Sequence, residues 1–472
     1  MKKNPSHLYK TLAPVLVLVM LIGSTLACSL TEEDPPTLAP RQPMSTTTSQ
    51  PPLVPVGPVT IQAPPVLPEL PPEVQEEVPT NNSVTNWLLY VDNNRMMNTV
   101  LAMENFQNRH NLGVPAPDKG IFAAELYLKA RFDEIKDGNP DKQIAVYTQP
   151  LSISYGGLSS NPDNIFMVLP GLDASAGVLV VGAHYDTINN ASVTSSDLLQ
   201  PGADDNGSGV SIVLELARVM AQGYHRATII FVLFAGEEFE QRFGSTNFVG
   251  YLKGNNLDIK GVLTLDMVGS PTGPNGERYD NQMRVFSAPP ADSGSRELAR
   301  LMELVSRAYM QGEMNVTVEE LLDRSGRWGD HMSFSNEGIS AIRMIEYRDD
   351  PTRTHNAMDR SDDVDPAYLG RMTKLALATL LVLADGPNPP QDYRIDTGTW
   401  HLEWTPVPGA TAYAVALRFP GSSVYNQIFT TPESGFTWPQ MSLYETVGVA
   451  AIDENGQLGR FVEWRIPPVP TQ

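Results

Sequence analysis

The strongest constraint on the fold is a series of short apolar runs that alternates with amphipathic stretches. The runs are rich in β-branched residues and are bounded by turn residues, which is typical of strands buried on both faces. They cover residues 164–169, 178–182, 228–235 and 261–265. Apolar residues at helical spacing occupy residues 95–110, 119–136, 207–221, 297–310 and 366–384. This alternation predicts an α/β fold with a mainly parallel central sheet flanked by helices.

Polar residues accumulate where the predicted strands end and in the loops that follow them. They are His184, Asp186, Asp204, Asp205, Glu237, Glu238, Asp266 and, much later in the chain, His355. In parallel sheets the functional site lies beyond the carboxyl ends of the strands, so we expect these side chains to gather there. Imidazole and carboxylate groups are zinc ligands, and a catalytic zinc site keeps one position open for water. The sequence therefore predicts a metal-dependent hydrolytic site.

Three features of this set suit a catalytic metal site. A bridging carboxylate can hold two ions ~3.5–4 Å apart, as in aminopeptidases. The adjacent carboxylates Glu237 and Glu238 can supply one metal ligand and one general base. Asp186, two residues after His184, can orient that imidazole from outside the metal shell.

The order of the motifs carries a family resemblance. HxD, DDNGSG, GEE, LDM and HxxxD follow one another along the chain, each on the expected element. Each motif alone is weak evidence, but the ordered set resembles the di-zinc aminopeptidases of metallopeptidase clan MH, family 28. The resemblance spans about residues 90–385 and implies the zinc-exopeptidase type of α/β fold.

The resemblance implies two zinc ions and a role for each matched residue. The implied ligands are His184, Asp204 and Asp266 for one ion, and Asp204, Glu238 and His355 for the other, with Asp204 bridging. Glu237 would be the general base and Asp186 the partner of His184. A cis peptide bond is implied after the bridging residue, between Asp204 and Asp205.

The chain departs from the family pattern near the last ligand. The family commonly has H-T-P-x-D there, whereas this chain has His355-Asn-Ala-Met-Asp359. The histidine and the aspartate are kept, so we expect the substrate pocket to differ more than the metal site. The segment 329–334 resembles the family's S-D-H-x-x-F sequence, and we do not expect His331 to be a ligand.

The implied activity is that of a zinc exopeptidase, foremost an aminopeptidase that removes N-terminal residues from peptides. A carboxypeptidase and a glutaminyl cyclase-like enzyme on the same fold are alternatives. The cyclases use one zinc and usually lack the full first-site ligand set, which this chain keeps. A surface binding protein with a retired enzyme domain is a further alternative, but no ligand and no base has been lost.

The N-terminus has the features of an export signal. Lysines precede the apolar segment 11–22, and Thr25-x-Ala27 fits a small-x-small cleavage site. Cleavage after residue 27 would leave Cys28 first, as in bacterial lipoproteins, although Leu26 departs from the usual lipobox. We expect residues 1–27 to be a signal peptide, Cys28 to be lipidated, and the protein to be exported and held at a membrane surface.

Two further regions flank the predicted peptidase domain of residues 84–386. Residues 28–83 are rich in proline and threonine and lack periodicity, which predicts a linker. Residues 387–472 show strand alternation without helical spacing, which predicts a small all-β sandwich. The segment 404–415 resembles fibronectin type III domains. The sandwich contains no recognised metal-ligating residue, so we expect peptidase turnover without it. The sequence does not indicate what the sandwich binds.

The charge balance and the cysteine count exclude several classes. The chain has 33 Lys plus Arg against 54 Asp plus Glu, a formal net charge of −21. Nucleic-acid binding needs a basic patch, so we expect no nucleic-acid partner. The single cysteine excludes an intrachain disulfide and a thiolate zinc cluster.

Overall fold

A computed structural model of the chain describes residues 80–468. The predicted signal peptide, Cys28 and nearly all of the predicted linker lie outside the described residues.

A mixed eight-stranded sheet forms the centre of the larger part. The strands up to residue 346 are β1 Ala145–Pro150, β2 Ile153–Tyr155, β3 Leu158–Ser160, β4 Asp163–Leu169, β5 Val178–His184, β6 Thr228–Phe234, β7 Ile259–Leu265, β8 Gln282–Ser287, β9 Asn315–Glu319 and β10 Ala341–Glu346. The sheet order is β1-β4-β6-β5-β7-β10-β8-β9, and β2 and β3 form a separate hairpin. Strands β6, β5, β7 and β10 pair in parallel, as do β8 and β9. The four predicted strands are all present and lie side by side as β4, β6, β5 and β7, and the last three of them are parallel.

Eight helices are described. They are α1 Asn82–Leu88, α2 Asn93–Asn105, α3 Gly120–Gly138, α4 Gly209–Met220, α5 Phe243–Gly254, α6 Gly294–Val305, α7 His331–Ser335 and α8 Pro366–Asp385. Strand alternation sends side chains to both layers: Val181 of β5 packs in the cluster that holds α4 and α8, whereas Val180 packs with α5 and α7. This two-sided burial confirms the α/β architecture, with helices on both faces of the sheet.

Helix α8 lies in the core. Its N-cap Asp365 accepts hydrogen bonds from the backbone of Ala367 and Tyr368, and Pro366 occupies the first helical position. The helix is long and apolar enough to cross a bilayer, but 78% of its apolar window is buried inside the protein. Its apolar character is explained by packing against the sheet.

The C-terminal part is a small all-β domain of two antiparallel sheets. Its strands are β11 Arg394–Asp396, β12 His401–Glu403, β13 Ala410–Arg418, β14 Gln427–Thr431, β15 Gly435–Thr437, β16 Thr446–Asp453 and β17 Val462–Arg465. One sheet has the order β11-β12-β15 and the other β14-β13-β16-β17. The domain boundaries and the likeness to fibronectin type III domains stay predictions.

The four-stranded sheet and the helical layer share one core. Ala414, Ala416 and Ile452 belong to the same buried cluster as α6 and α8. Within it, Arg300 of α6 pairs with Glu463 of β17, and both side chains are almost fully buried. Glu463 also lies 3.4 Å from Nε of Arg418, so its carboxylate is held between two guanidinium groups. We call this group the joint cluster.

Candidate metal centre

The predicted site residues converge at one edge of the central sheet. β5 ends at His184, β6 is followed by Glu237 and Glu238, and β7 is followed by Asp266. Because these strands are adjacent and parallel, their carboxyl ends meet at the same edge. His355 reaches the same place from the loop between β10 and α8. Residues far apart in sequence are thus brought into contact by the topology.

Asp205 lies at the centre of this group, between the two imidazoles. Its Oδ1 is 3.3 Å from Nε2 of His184, and its Oδ2 is 3.1 Å from Nε2 of His355. The same nitrogen of His184 is 3.5 Å from Oδ1 of Asp266, and that of His355 is 2.9 Å from Oε2 of Glu238. The result is two sets of three ligand groups that share one carboxylate.

The structure corrects the assignment of Asp204 as the bridging ligand. Asp204 points away from the histidines, and its Oδ1 accepts a hydrogen bond from the backbone N–H of Gly269 at 2.8 Å. Asp205 instead lies between the two histidines. The cis peptide bond also lies one residue later than expected, between Asp205 and Asn206. The physical reason is the irregular turn Ala203–Ser208, in which successive side chains follow no regular period.

The donor set fits metal ions. Among residues 80–468, Nε2 of His184 and Oε1 of Glu238 are buried and make no hydrogen bond. Ligand atoms of His184, Asp205 and Glu238 all lie within 4.8 Å of one another. Zinc ligands stand ~2.0–2.2 Å from a tetrahedral ion, which separates them by roughly 3.3–3.6 Å, close to the spacings around His184. The orphaned atoms and the spacing agree with zinc.

Burial and neighbouring charges set the protonation of these groups. Burial raises the pKa of Glu237 well above its ordinary value and that of Glu238 to about 7. Burial alone would also raise the pKa of Asp205, but the neighbouring imidazoles of His184 and His355 hold it well below its ordinary value. A lowered pKa keeps Asp205 ionised, which is the state in which a carboxylate can bind a metal.

Asp186 fixes the segment that carries the two glutamates. Its carboxylate accepts hydrogen bonds from the backbone N–H groups of Glu237 at 3.2 Å and Glu238 at 3.1 Å. Its backbone carbonyl lies 3.2 Å from Nδ1 of His184, which leaves Nε2 directed at the site. Asp186 contacts both the histidine and the glutamate turn, so its position suits it to orient ligands.

The loop of Asp205 is held by Asp359. The carboxylate of Asp359 accepts hydrogen bonds from the backbone N–H groups of Asp204 at 2.8 Å and Asp205 at 3.0 Å. The sequence pointed to Asp359 only through the family motif. Its structural task is to fix the turn that presents the bridging carboxylate.

Three residues that the sequence analysis missed support the site. Asn111 donates to the carboxylate of Asp186. Arg343 of β10 lies 2.9 Å from Oδ2 of Asp266. Trp328 donates from its indole N–H to the backbone carbonyl of Glu237 at 3.2 Å. No sequence pattern predicts the roles of Asn111 and Trp328. Arg343 could have been noticed, because it is a charged residue within an apolar run.

His331 lies outside the ligand set. It is buried, and its Nε2 is 2.7 Å from the backbone carbonyl of Leu322. That contact accounts for its ring orientation and ties the start of α7 to the preceding loop.

The ligand sets open onto a cleft with a cavity volume of about 350 Å³. A buried group of histidines and carboxylates at the carboxyl edge of an α/β sheet, beside a free glutamate and an open cleft, defines the class of metal-dependent hydrolases.

Comparisons with known proteins narrow this class to one family. The sequence profile of peptidase family M28 matches residues 164–380. A "probable zinc metalloprotease" of Leptosphaeria maculans is 31% identical over 375 residues, which cover 71% of this chain and 86% of that protein. One of the same name from Pyricularia oryzae is 29% identical over 411 residues, covering 78% and 81%. The chain belongs to peptidase family M28, a family of zinc metallopeptidases.

Solved structures agree with the fold. The LapA aminopeptidase of Legionella pneumophila superposes with a TM-score of 0.53 at 23% identity, covering 66% of this chain and 77% of that chain. LapB of the same organism gives a TM-score of 0.52 at 21% identity, covering 65% and 76%. At this identity the likeness concerns the fold, and it confirms the predicted zinc-exopeptidase architecture.

Proposed function

We propose that this chain is an exported di-zinc aminopeptidase that removes N-terminal residues from peptides. The observation that carries the proposal is the position of Asp205, whose two carboxylate oxygens each face one histidine and one further carboxylate. Membership of family M28 supports peptide hydrolysis. The aminopeptidase type is supported by the motif resemblance. The LapA aminopeptidase, which has a similar fold, agrees with this assignment.

The proposed zinc ligands are the two sets of three groups around Asp205. His184, Asp205 and Asp266 would hold one ion, and Asp205, Glu238 and His355 the other. When bound, zinc polarises the scissile carbonyl and makes a nearby water more acidic. Outer residues hold the ligands in place: Asp186 for His184 and Asp359 for the turn of Asp205.

Glu237 is proposed to act as the general base that accepts the proton of the attacking water. Its carboxylate lies 3.9 Å from Nε2 of His184, next to both ligand sets, and it lines the open cleft. Its backbone is fixed on both sides, by the carboxylate of Asp186 and the indole of Trp328. Burial raises its pKa, which makes it a stronger base when ionised. Glu237 would take a proton from the attacking water and return it to the leaving amine.

The test uses the full-length protein and three substrate types. Aminoacyl anilides report aminopeptidase activity, N-blocked peptides report carboxypeptidase activity, and N-terminal glutaminyl peptides report cyclisation. We expect turnover of the anilides only. Release of C-terminal residues from blocked peptides would move the assignment to a carboxypeptidase, and cyclisation with one bound zinc would move it to the cyclases. A zinc-free, inactive protein would favour the binding-protein alternative.

Export and membrane attachment are proposed from the sequence of residues 1–28. We propose that cleavage before Cys28 is followed by lipidation, since this thiol lies at the cleavage site. Mass spectrometry of the mature N-terminus is expected to find a diacylglycerol-modified cysteine, and Cys28→Ala to release the protein from membranes. An unmodified Cys28 in the mature protein would contradict this.

A further inference from the structure

Part of the cleft lining carries arginines. Asp205, Glu237, Glu238 and His355 line the cavity. The loop before α7 and strand β10 also line it, with Arg324, Arg327, Trp328 and Arg343, and we call this part of the lining the wall. Three guanidinium groups in one cleft are unexpected in a chain of formal net charge −21. Their concentration here therefore calls for a specific explanation.

Two of these arginines, Arg343 and Arg324, form ion pairs with carboxylates of the chain. Arg343 lies 2.7 Å from Oδ2 of Asp323, in addition to its contact with Asp266. Arg324 contacts both Asp323 and Asp349. These contacts hold Arg343 and Arg324 in fixed positions. They also mean that Asp323 and Asp349 already have guanidinium partners.

Arg327 is the exception. It is half-buried in the cleft, and in the described part of the chain its guanidinium has neither an ion-pair partner nor a hydrogen-bond acceptor. Its neighbour Trp328 is tied to the backbone of Glu237, so the wall and the proposed general base belong to one connected structure. An anion placed against Arg327 would therefore lie in the same cleft as the reacting bond.

We propose that Arg327 binds a carboxylate of the substrate and that the enzyme prefers peptides with a carboxylate next to the scissile bond. The guanidinium of Arg327 has no carboxylate of the chain to compensate it, and a guanidinium matches the planar carboxylate with two parallel hydrogen bonds. The carboxylate can come from an acidic side chain or from the free C-terminus of a dipeptide. This inference rests on the proposed peptidase function, because it specifies the substrate of that same cleft.

The test compares matched substrates with the zinc-loaded full-length enzyme. Leucyl-glycine is paired with its C-terminal amide, and glutamyl anilide with glutaminyl anilide. Each pair differs by one negative charge, and together they separate the two sources of the carboxylate. The readout is the ratio of kcat/KM within each pair, measured for the native chain, Arg327→Gln and Arg327→Lys. Arg394→Gln, in the exposed strand β11, removes one positive charge outside the cleft as a matched control.

In the native enzyme we expect the anionic member of at least one pair to be preferred. Arg327→Gln should lower that ratio about tenfold or more, the usual value of a charge-assisted hydrogen bond. Arg327→Lys should keep part of the preference, and Arg394→Gln all of it. Zinc content, measured for every variant, shows whether the site is intact. Ratios near one in the native enzyme, or ratios unchanged by Arg327→Gln, would overturn the inference while leaving the peptidase function in place.

A binding measurement separates this inference from the proposed function. Calorimetric titration of the zinc-loaded protein with glutamate and with glutamine needs no turnover. We expect glutamate to bind more tightly, and the difference to disappear in Arg327→Gln. If no peptide is hydrolysed but this difference is found, the proposed function fails and the carboxylate site stands. Equal binding of glutamate and glutamine excludes an acidic side chain as the source of the carboxylate, and the leucyl-glycine pair then decides whether the carboxylate site stands.

Discussion

Two buried charge clusters in this protein differ in their balance of charge. In the joint cluster, the buried carboxylate of Glu463 lies between the guanidinium groups of Arg300 and Arg418, and Arg418 also contacts the partly exposed carboxylate of Glu445, so each guanidinium has a carboxylate partner. At the sheet edge, two imidazoles and one guanidinium face a larger set of buried carboxylates. That set is Asp186, Asp205, Glu237, Glu238 and Asp266.

The difference shows how the fold separates structural from functional charge. Buried ions are tolerated only where they are paired or coordinate a metal. The charges of the joint cluster are compensated by other side chains of the chain itself. The role of this cluster is to fix the β domain on the helices. The sheet edge holds more carboxylates than cationic side chains, and the proposed zinc ions would balance them. Four predictions, in order of expected effect, test this contrast.

The largest effect is expected from removing the metal. The native protein should contain close to two zinc ions per chain, and a chelator should reduce turnover to the background rate, with recovery on adding zinc. Elemental analysis and an anilide assay measure both. A chain that stays active after complete zinc removal would contradict the need for outside cations at the sheet edge.

Asp205→Asn tests the bridging position and has a matched neighbour in Asp204→Asn. Loss of the shared carboxylate should weaken both ion sites, by more than the roughly 10–100-fold cost of losing an outer-shell partner. Asp204 contacts the backbone of Gly269, so its substitution should leave both ions in place. Zinc titration of the two variants decides. Loss of zinc from Asp204→Asn alone would restore the assignment made from the sequence.

Glu237→Gln and Glu238→Gln separate the base from the ligand. The glutamine at 237 cannot accept the proton, so turnover should fall by roughly 10²–10⁴ with both zinc ions still bound. Glu238→Gln should instead empty the site of His355, with partial recovery at high zinc. Zinc content and kcat, measured side by side, give the answer. Metal loss in the first variant and retention in the second would reverse the two roles.

The smallest effect on turnover is expected at the joint cluster. Glu463→Gln leaves Arg300 and Arg418 buried without their shared carboxylate, which should cost about 3–5 kcal/mol of unfolding free energy. Chemical denaturation measures this cost, with the exposed Glu454→Gln as the control. Turnover of the folded fraction should change by no more than a few-fold, because no metal ligand is touched. Zinc loss in Glu463→Gln would show that the two clusters are coupled.

The central strands and the location of the site could be predicted because their signals are local. β-branched runs fixed the positions of β5, β6 and β7, and the parallel order placed the polar residues after them at one edge. The choice between Asp204 and Asp205 could not be made this way. Both lie in an irregular turn, where the direction of a side chain depends on contacts with Asp359 and Gly269.

The residues that support the site, and the joint cluster, depend on contacts between residues far apart in sequence, which a local sequence pattern does not predict. Arg343 is an ionisable residue within an apolar run, and Asn111 lies 75 positions from Asp186. The expectation that residues 387–472 are dispensable stays a prediction, but the shared core argues against it. Truncation near Asp385 would expose the apolar surface that α8 and α6 bury against β13 and β16.

The spread of the ligands over positions 184–355 has a consequence for how the protein matures. Each of five separate segments contributes one of the proposed metal ligands, so these ligands are far apart in an unfolded chain. Ions can be captured only after β5, β6 and β7 have assembled, and their binding then stabilises the finished sheet. A nascent or partly folded chain is therefore without hydrolytic power. The proposed zinc-dependent activity would therefore begin only when the central sheet is complete.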